Sequence, residues 1–110
     1  MDCKSLFENA LKAARELNTV DGEKLNKILL DLAVATESNI GAILEANARD
    51  LSRMDKADPK YDRLQLTETR IKGITGDIRN VASLPSPLGK TIYSYDKPNG
   101  LKITKVTVPF

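Results

Sequence analysis

Up to Ala82 the apolar positions recur about every 3.6 residues, and after Gly89 about every second residue. Leu6, Phe7, Ala10, Leu11, Ala14 and Leu17 form a first helical stripe; Asp2 and Ser5 are both candidates to cap its start, and Asn18-Thr19 to end it. Leu25, Ile28, Leu29, Leu32 and Ala33 form a second, with Thr19 or Asp21 as its cap. Ile40, Ile43, Leu44, Ala48, Leu51 and Met54 continue as a third. The weak point between the last two is 36–41, where either a break, with Ser38 capping a new helix, or a bend in one helix satisfies the pattern. Residues 55–62, with Pro59 inside, read as a polar loop. Ile71, Ile74, Ile78, Val81 and Ala82 then define the buried face of a helix capped by Thr67 and stopped by Pro85 and Pro87. Arg70, Lys72, Asp77 and Arg79 are expected in water on its other side. Gly73 and Gly76, inside this helix, are either tolerated or mark the close approach of another backbone.

Thr91–Asp96 reads as a strand, Pro98-Asn99-Gly100 as a turn in which both Asn and Gly tolerate positive φ, and Leu101–Val108 as a returning strand. Along that second strand the apolar phase slips, from Leu101 and Ile103 to Val106 and Val108, as a bulge or a change of layer would require. The fold class is therefore mostly α with a C-terminal β-hairpin, divided as a helical part over 1–90 and a hairpin over 91–110. An isolated pair of strands is marginal in water, and the chain finishes on the apolar Val108-Pro109-Phe110. The hairpin is expected to lean on more chain or on a second copy, pairing through residues 91–108.

Composition narrows the chemistry. At 110 residues the chain is about one small domain. Seventeen Lys and Arg oppose fifteen Asp and Glu, interleaved rather than segregated, so no basic stripe for nucleic acid stands out. Aromatic residues are 5%, too few for a base-stacking platform. The absence of His removes imidazole acid–base work, His-activated nucleophiles and the usual zinc sites. The single Cys3 forms no internal disulfide and fits a reducing compartment. No apolar run is long enough to span a bilayer and Met1-Asp2-Cys3-Lys4 has no apolar signal core, so the expected location is cytoplasmic with no membrane partner.

Residue by residue, no reactive constellation emerges. Cys3 sits where fraying is the rule and lacks an activating environment. Glu37, Glu45, Asp50, Asp55, Asp58 and Asp62 read as a solvated face, since no pair occupies an apolar context that would split acid from base roles. Asp55-Lys56-Ala57-Asp58 lacks the glycine and terminal Glu of a calcium loop. Gly73-x-x-Gly76 lies within a helix, which is the wrong place for a dinucleotide fingerprint. No catalytic, cofactor-binding or metal-binding residue is assigned.

Four stretches, taken in order, resemble one family: Leu44-Glu45-Ala46-Asn47-Ala48-Arg49-Asp50-Leu51; Asp62-Arg63-Leu64-Gln65-Leu66-Thr67; Arg70-Ile71-Lys72-Gly73-Ile74; and Leu84-Pro85-Ser86-Pro87-Leu88-Gly89 on through Pro98-Asn99-Gly100-Leu101 to Val106-Thr107-Val108-Pro109-Phe110. The chain resembles the N-terminal part of the gamma-glutamyl phosphate reductases (glutamate-5-semialdehyde dehydrogenases), of the aldehyde dehydrogenase superfamily. The resemblance implies an incomplete N-terminal piece of an α/β aldehyde-dehydrogenase-like fold. It also implies a parent enzyme of proline biosynthesis that reduces gamma-glutamyl phosphate with NADPH through a cysteine thioester. The nucleophilic cysteine and the nicotinamide site of that family lie in sequence beyond these residues, and Cys3 does not match the nucleophile's motif. The piece itself is then expected to be inactive scaffold with no cofactor bound. Its partners would be the remainder of its own chain and a second subunit met through the hairpin arm. Asn47, Asp50, Asp62 and Arg63 stand in the family-like motifs, where capping or loop pinning is expected rather than a ligand role. A reading of a different class is a free-standing helical interaction module whose hairpin augments a partner's sheet.

Overall fold

A computed structural model describes residues 2–109; Met1 and Phe110, which close the terminal motifs above, lie outside them. Five helices precede two strands: α1 (Cys3–Leu17), α2 (Gly22–Ser38), α3 (Ile40–Leu51), α4 (Lys60–Leu64), α5 (Glu68–Ala82), β1 (Thr91–Asp96) and β2 (Lys102–Val106). The chain forms two compact units, one of Leu25–Leu84 and one joining Met1–Lys24 to Pro85–Phe110.

Between the two candidate caps of α1, the backbone selects Asp2, whose carboxylate accepts the Ser5 N–H at 2.7 Å. Asp21 does the same for Lys24 at the start of α2. Each bond satisfies one of the amides that a helix start leaves without a partner. The stripe of α1 forms as a helix but is not buried. Leu6, Phe7, Leu11 and Leu17 are 49–73% exposed, and no residue of α1 is buried.

The weak point at 36–41 is a break. α2 and α3 are separate helices joined at Asn39, which has φ −113° and ψ 16°. Ser38 does not cap α3, contrary to the pattern. Its hydroxyl donates back to Val34 O, as Thr36 does to Leu32 O and the Asn39 amide to Ala35 O. Donation back to carbonyls one turn earlier holds these short polar side chains on α2, and none of them caps the first amides of α3.

The helical unit is built around Ala33 of α2 and Ile71, Thr75 and Ala82 of α5, which are its buried residues. Thr67 caps α5 as expected, accepting the Arg70 N–H. The buried face, however, runs Ile71, Thr75, Ile78, Ala82 rather than Ile71, Ile74, Ile78, Val81. Ile74 and Val81 are 48% and 53% exposed. A helix admits both tracks from Ile71; a buried hydroxyl with partners decides between them. The polar loop over 55–62 is also partly helical, because α4 begins at Lys60 directly after Pro59, a residue suited to helix starts.

In the hairpin β1 and β2 pair antiparallel, with Tyr93 opposite Lys105 and Asp96 opposite Lys102. The expected irregularity is present, but in β1: the register shifts between Thr91 and Tyr93, leaving Ile92 as the extra residue. The turn also differs from the two-positive-φ form. Gly100 alone takes φ +85°, Asn99 does not, and the Lys97 N–H donates to Leu101 O at 2.7 Å. This is a three-residue loop closed by a left-handed glycine. Strand residues are exposed apart from the half-buried Ile103, and Tyr93 and Tyr95 stack on each other with ring centres 6.1 Å apart.

Candidate functional site: two polar clusters of the helical unit

The helical unit carries two polar clusters. In the first, α2 presents Glu37 to α5. Thr75 Oγ1 donates to Glu37 Oε1 at 2.7 Å, while Arg79 Nη1 and Nη2 donate to Oε1 and Oε2 at 2.6 and 2.8 Å. This two-pronged guanidinium–carboxylate geometry is the strong form of the pair. Arg79, and then Thr75, hold the Glu37 carboxyl at about 2 against an ordinary 4.5, and Glu37 in turn raises Arg79. Glu37 is thus no solvated carboxylate and Arg79 no free surface charge; both are half-buried and paired. Local pattern could not disclose this, because the partners are 42 residues apart.

The second cluster pins the stretch from α4 to α5. The half-buried Asn47 on α3 donates through Nδ2 to Leu64 O at 2.8 Å and accepts the Leu66 N–H on Oδ1 at 2.9 Å. An amide side chain here does what a neighbouring strand would do, matching one donor and one acceptor. From the other side, Arg70 Nη1 donates to Asp62 O and Gln65 O at 2.6 and 2.7 Å, and Nη2 to Asp62 Oδ1 at 3.1 Å. Asn47 and Asp62 therefore fill the pinning role expected of them. Arg70, like Arg79 expected simply in water, is a residue whose partners sequence reasoning missed.

Of the remaining candidates, only Arg63 lies beside one of the clusters. Cys3 is exposed in the first turn of α1. Asp50 is exposed on α3, and Arg63 lies at an open groove of about 530 Å³ that Asp62, Arg70 and Asp77 also line. Asp55 and Asp58 accept the Ala57 and Lys60 amides, so these two oxygens shape turns. Among the described residues no group of three His, Cys, Asp or Glu is placed to hold a metal ion, and no helix is long and apolar enough to cross a membrane. Gly73 and Gly76 have open space where a Cβ would be, so no backbone approaches them. The close approach is at Gly22, where a Cβ would stand 2.9 Å from Ser86 Cβ. Chemically, the first cluster ties α2 to α5 through side chains, the second holds backbone in place, and neither contains an activated nucleophile or free proton carrier.

No family model matches the chain. Relatives are nevertheless plain. A gamma-glutamyl phosphate reductase of Bacteroides thetaiotaomicron is 54% identical over 104 residues, which is 94% of this chain and 25% of that protein. One of Parabacteroides distasonis is 46% identical over all 110 residues, 26% of its own length. Among solved structures, the gamma-glutamyl phosphate reductase of Saccharomyces cerevisiae matches 93% of this chain and 27% of its own at a TM-score of 0.82 and 33% identity. That of Thermotoga maritima matches 89% and 24%, also at 0.82, with 28% identity. The chain spans about a quarter of the length of the curated relatives it matches, and these relatives do not favour the free-standing interaction module. Helices and hairpin agree with the two solved structures in order, and along its whole length the chain matches a segment of the gamma-glutamyl phosphate reductases about a quarter of their size.

Proposed function

We propose that the chain is the N-terminal scaffold of an NADPH-dependent, cytoplasmic reductase of the aldehyde dehydrogenase superfamily that converts gamma-glutamyl phosphate to glutamate-5-semialdehyde in proline biosynthesis. The observation that carries this reading is identity of 46% along all 110 residues with a reductase about four times as long. The exposed apolar faces support it. Leu6, Phe7, Leu11 and Leu17 on α1, and Ile92, Leu101 and Val106 in the hairpin segment, are 46–73% exposed, a load of apolar surface that a larger protein would cover. The described residues do not fit the nicotinamide cofactor. Gly73 and Gly76 lie inside α5 rather than in a strand-to-helix turn, and Arg70 and Arg79 are committed to internal bonds. The chemistry then belongs to the other three-quarters of the parent, while this segment supports it and lends the hairpin to pairing with a second subunit.

The test is reassembly in trans. The purified chain is mixed with the separately produced remainder of the parent, and NADPH oxidation is followed with gamma-glutamyl phosphate. Turnover is expected from the mixture and from neither part alone, and the double variant Phe7→Glu, Leu11→Glu should lose it while keeping its helix content. Turnover by this chain alone that survives Cys3→Ser would overturn the scaffold reading.

A further inference from the structure

The hairpin tip holds a chemical feature that neither polar cluster nor the parent reaction uses. Asn99 is followed by Gly100, whereas Asn9, Asn18, Asn26, Asn39, Asn47 and Asn80 precede Ala, Thr, Lys, Ile, Ala and Val. Both residues of the pair are exposed. Gly100 carries no side chain to shield its backbone nitrogen, and its φ of +85° belongs to the left-handed region. The Leu101 N–H donates to Asn99 Oδ1 at 3.1 Å. That bond folds the amide back over the chain and draws electron density from Cγ. It also stands ready to stabilise negative charge on Oδ1, in the manner of an oxyanion donor. The competing restraint is one turn bond, from the Gly100 N–H to Lys97 O at 2.9 Å, at a tip open to water.

We propose that Asn99 is the preferred site of spontaneous covalent modification in this chain, by cyclisation and deamidation. Gly100 N attacks Asn99 Cγ and forms the new C–N bond, and the Oδ1 charge is held by the Leu101 N–H. The Cγ–Nδ2 bond breaks, and ammonia leaves with the proton that Gly100 N gives up through water. Water then opens the five-membered succinimide at either carbonyl, giving Asp or isoaspartate. No oxidant or reductant is involved. The isoaspartyl product inserts an additional backbone carbon beside Gly100 and places a carboxylate between Lys97 and Lys102.

Tryptic mapping of the intact protein, aged at mildly alkaline pH, tests this. Peptide 91–102 contains Asn99 and no other asparagine, since the Lys97–Pro98 bond resists trypsin. Its deamidated forms are expected to accumulate several-fold faster than those of the peptides carrying the other asparagines. They should comprise both Asp and isoaspartate, resolved against synthetic standards. Asn99→Gln keeps Gly100 and the turn backbone and should abolish the fast site. Conversion of Asn99 at the pace of the others, or to Asp alone, would overturn the proposal, the latter because direct hydrolysis bypasses the cyclic intermediate.

Discussion

Ile71 offers the sharpest stability measurement in the helical unit. It is 2% exposed and shares its core with Ala33, Thr75 and Ala82. Replacing it with Ala removes three carbon groups at about 0.8 kcal/mol each, so about 2.4 kcal/mol is lost from transfer alone. The cavity left behind raises the expected loss to between about 2.4 and 5 kcal/mol. With so few buried apolar residues in the unit, the milder Ile71→Val, expected to cost about 0.5–1.5 kcal/mol, keeps the measurement within range. Ile74, one turn further on the outer track, is 48% exposed, and its truncation to Ala should cost about half the transfer value, near 1 kcal/mol. Urea unfolding followed by far-UV circular dichroism reads all three as midpoint shifts at constant slope. Equal losses for Ile71→Ala and Ile74→Ala would refute the assignment of the buried face.

Glu37→Gln should destabilise the protein at neutral pH. A carboxyl held at about 2 when folded and 4.5 when free contributes stability that is complete above 4.5 and lost as pH falls toward 2. The gap between wild type and variant in acid titrations should therefore close over that window, and a gap undiminished at its lower end would contradict the pairing. Arg79→Ala should be destabilising in the same direction, since it leaves Glu37 without its strongest donor. Asn47→Ala removes two bonds to the 64–66 backbone and should cost about 1–3 kcal/mol, with faster hydrogen exchange at the Leu66 amide as its local signature. Gly100→Ala forces a side chain to φ +85° and should weaken the hairpin by about 1 kcal/mol, read from the amide exchange of Tyr95 and Ile103, whose N–H groups face each other across the ladder.

Much of this architecture is legible in the chain, and the failures share a cause. Thr67, Pro85 and Pro87 mark the bounds of α5 because capping and proline exclusion act within a turn of the residue concerned. The change of period after Gly89 locates the hairpin for the same local reason. Reading only apolar letters, however, selects Ile74 and Val81 over Thr75, whose burial depends on a carboxylate far away in sequence. Arg70 escapes notice because its acceptors are mostly backbone carbonyls, which leave no trace in side-chain pattern. The pinning roles of Asn47 and Asp62 were readable only through the family-like motifs, while the exposure of α1 shows that amphipathic spacing reports a face to be covered and not what covers it.

The span of the Glu37–Arg79 pair also sets an order of events for folding. Closing a loop of 42 residues costs roughly 3 kcal/mol of chain entropy before any contact across it is gained. Single helices and a three-residue hairpin turn close over a few residues and form within microseconds. Docking of α5 on α2 is therefore the late event, since the hydroxyl, carboxylate and guanidinium must arrive together with Ile71. A chain stopped before it would show only part of the helical dichroism, since an undocked helix as short as α5 is marginal in water, and its amides around Thr75 would exchange faster than in the docked unit.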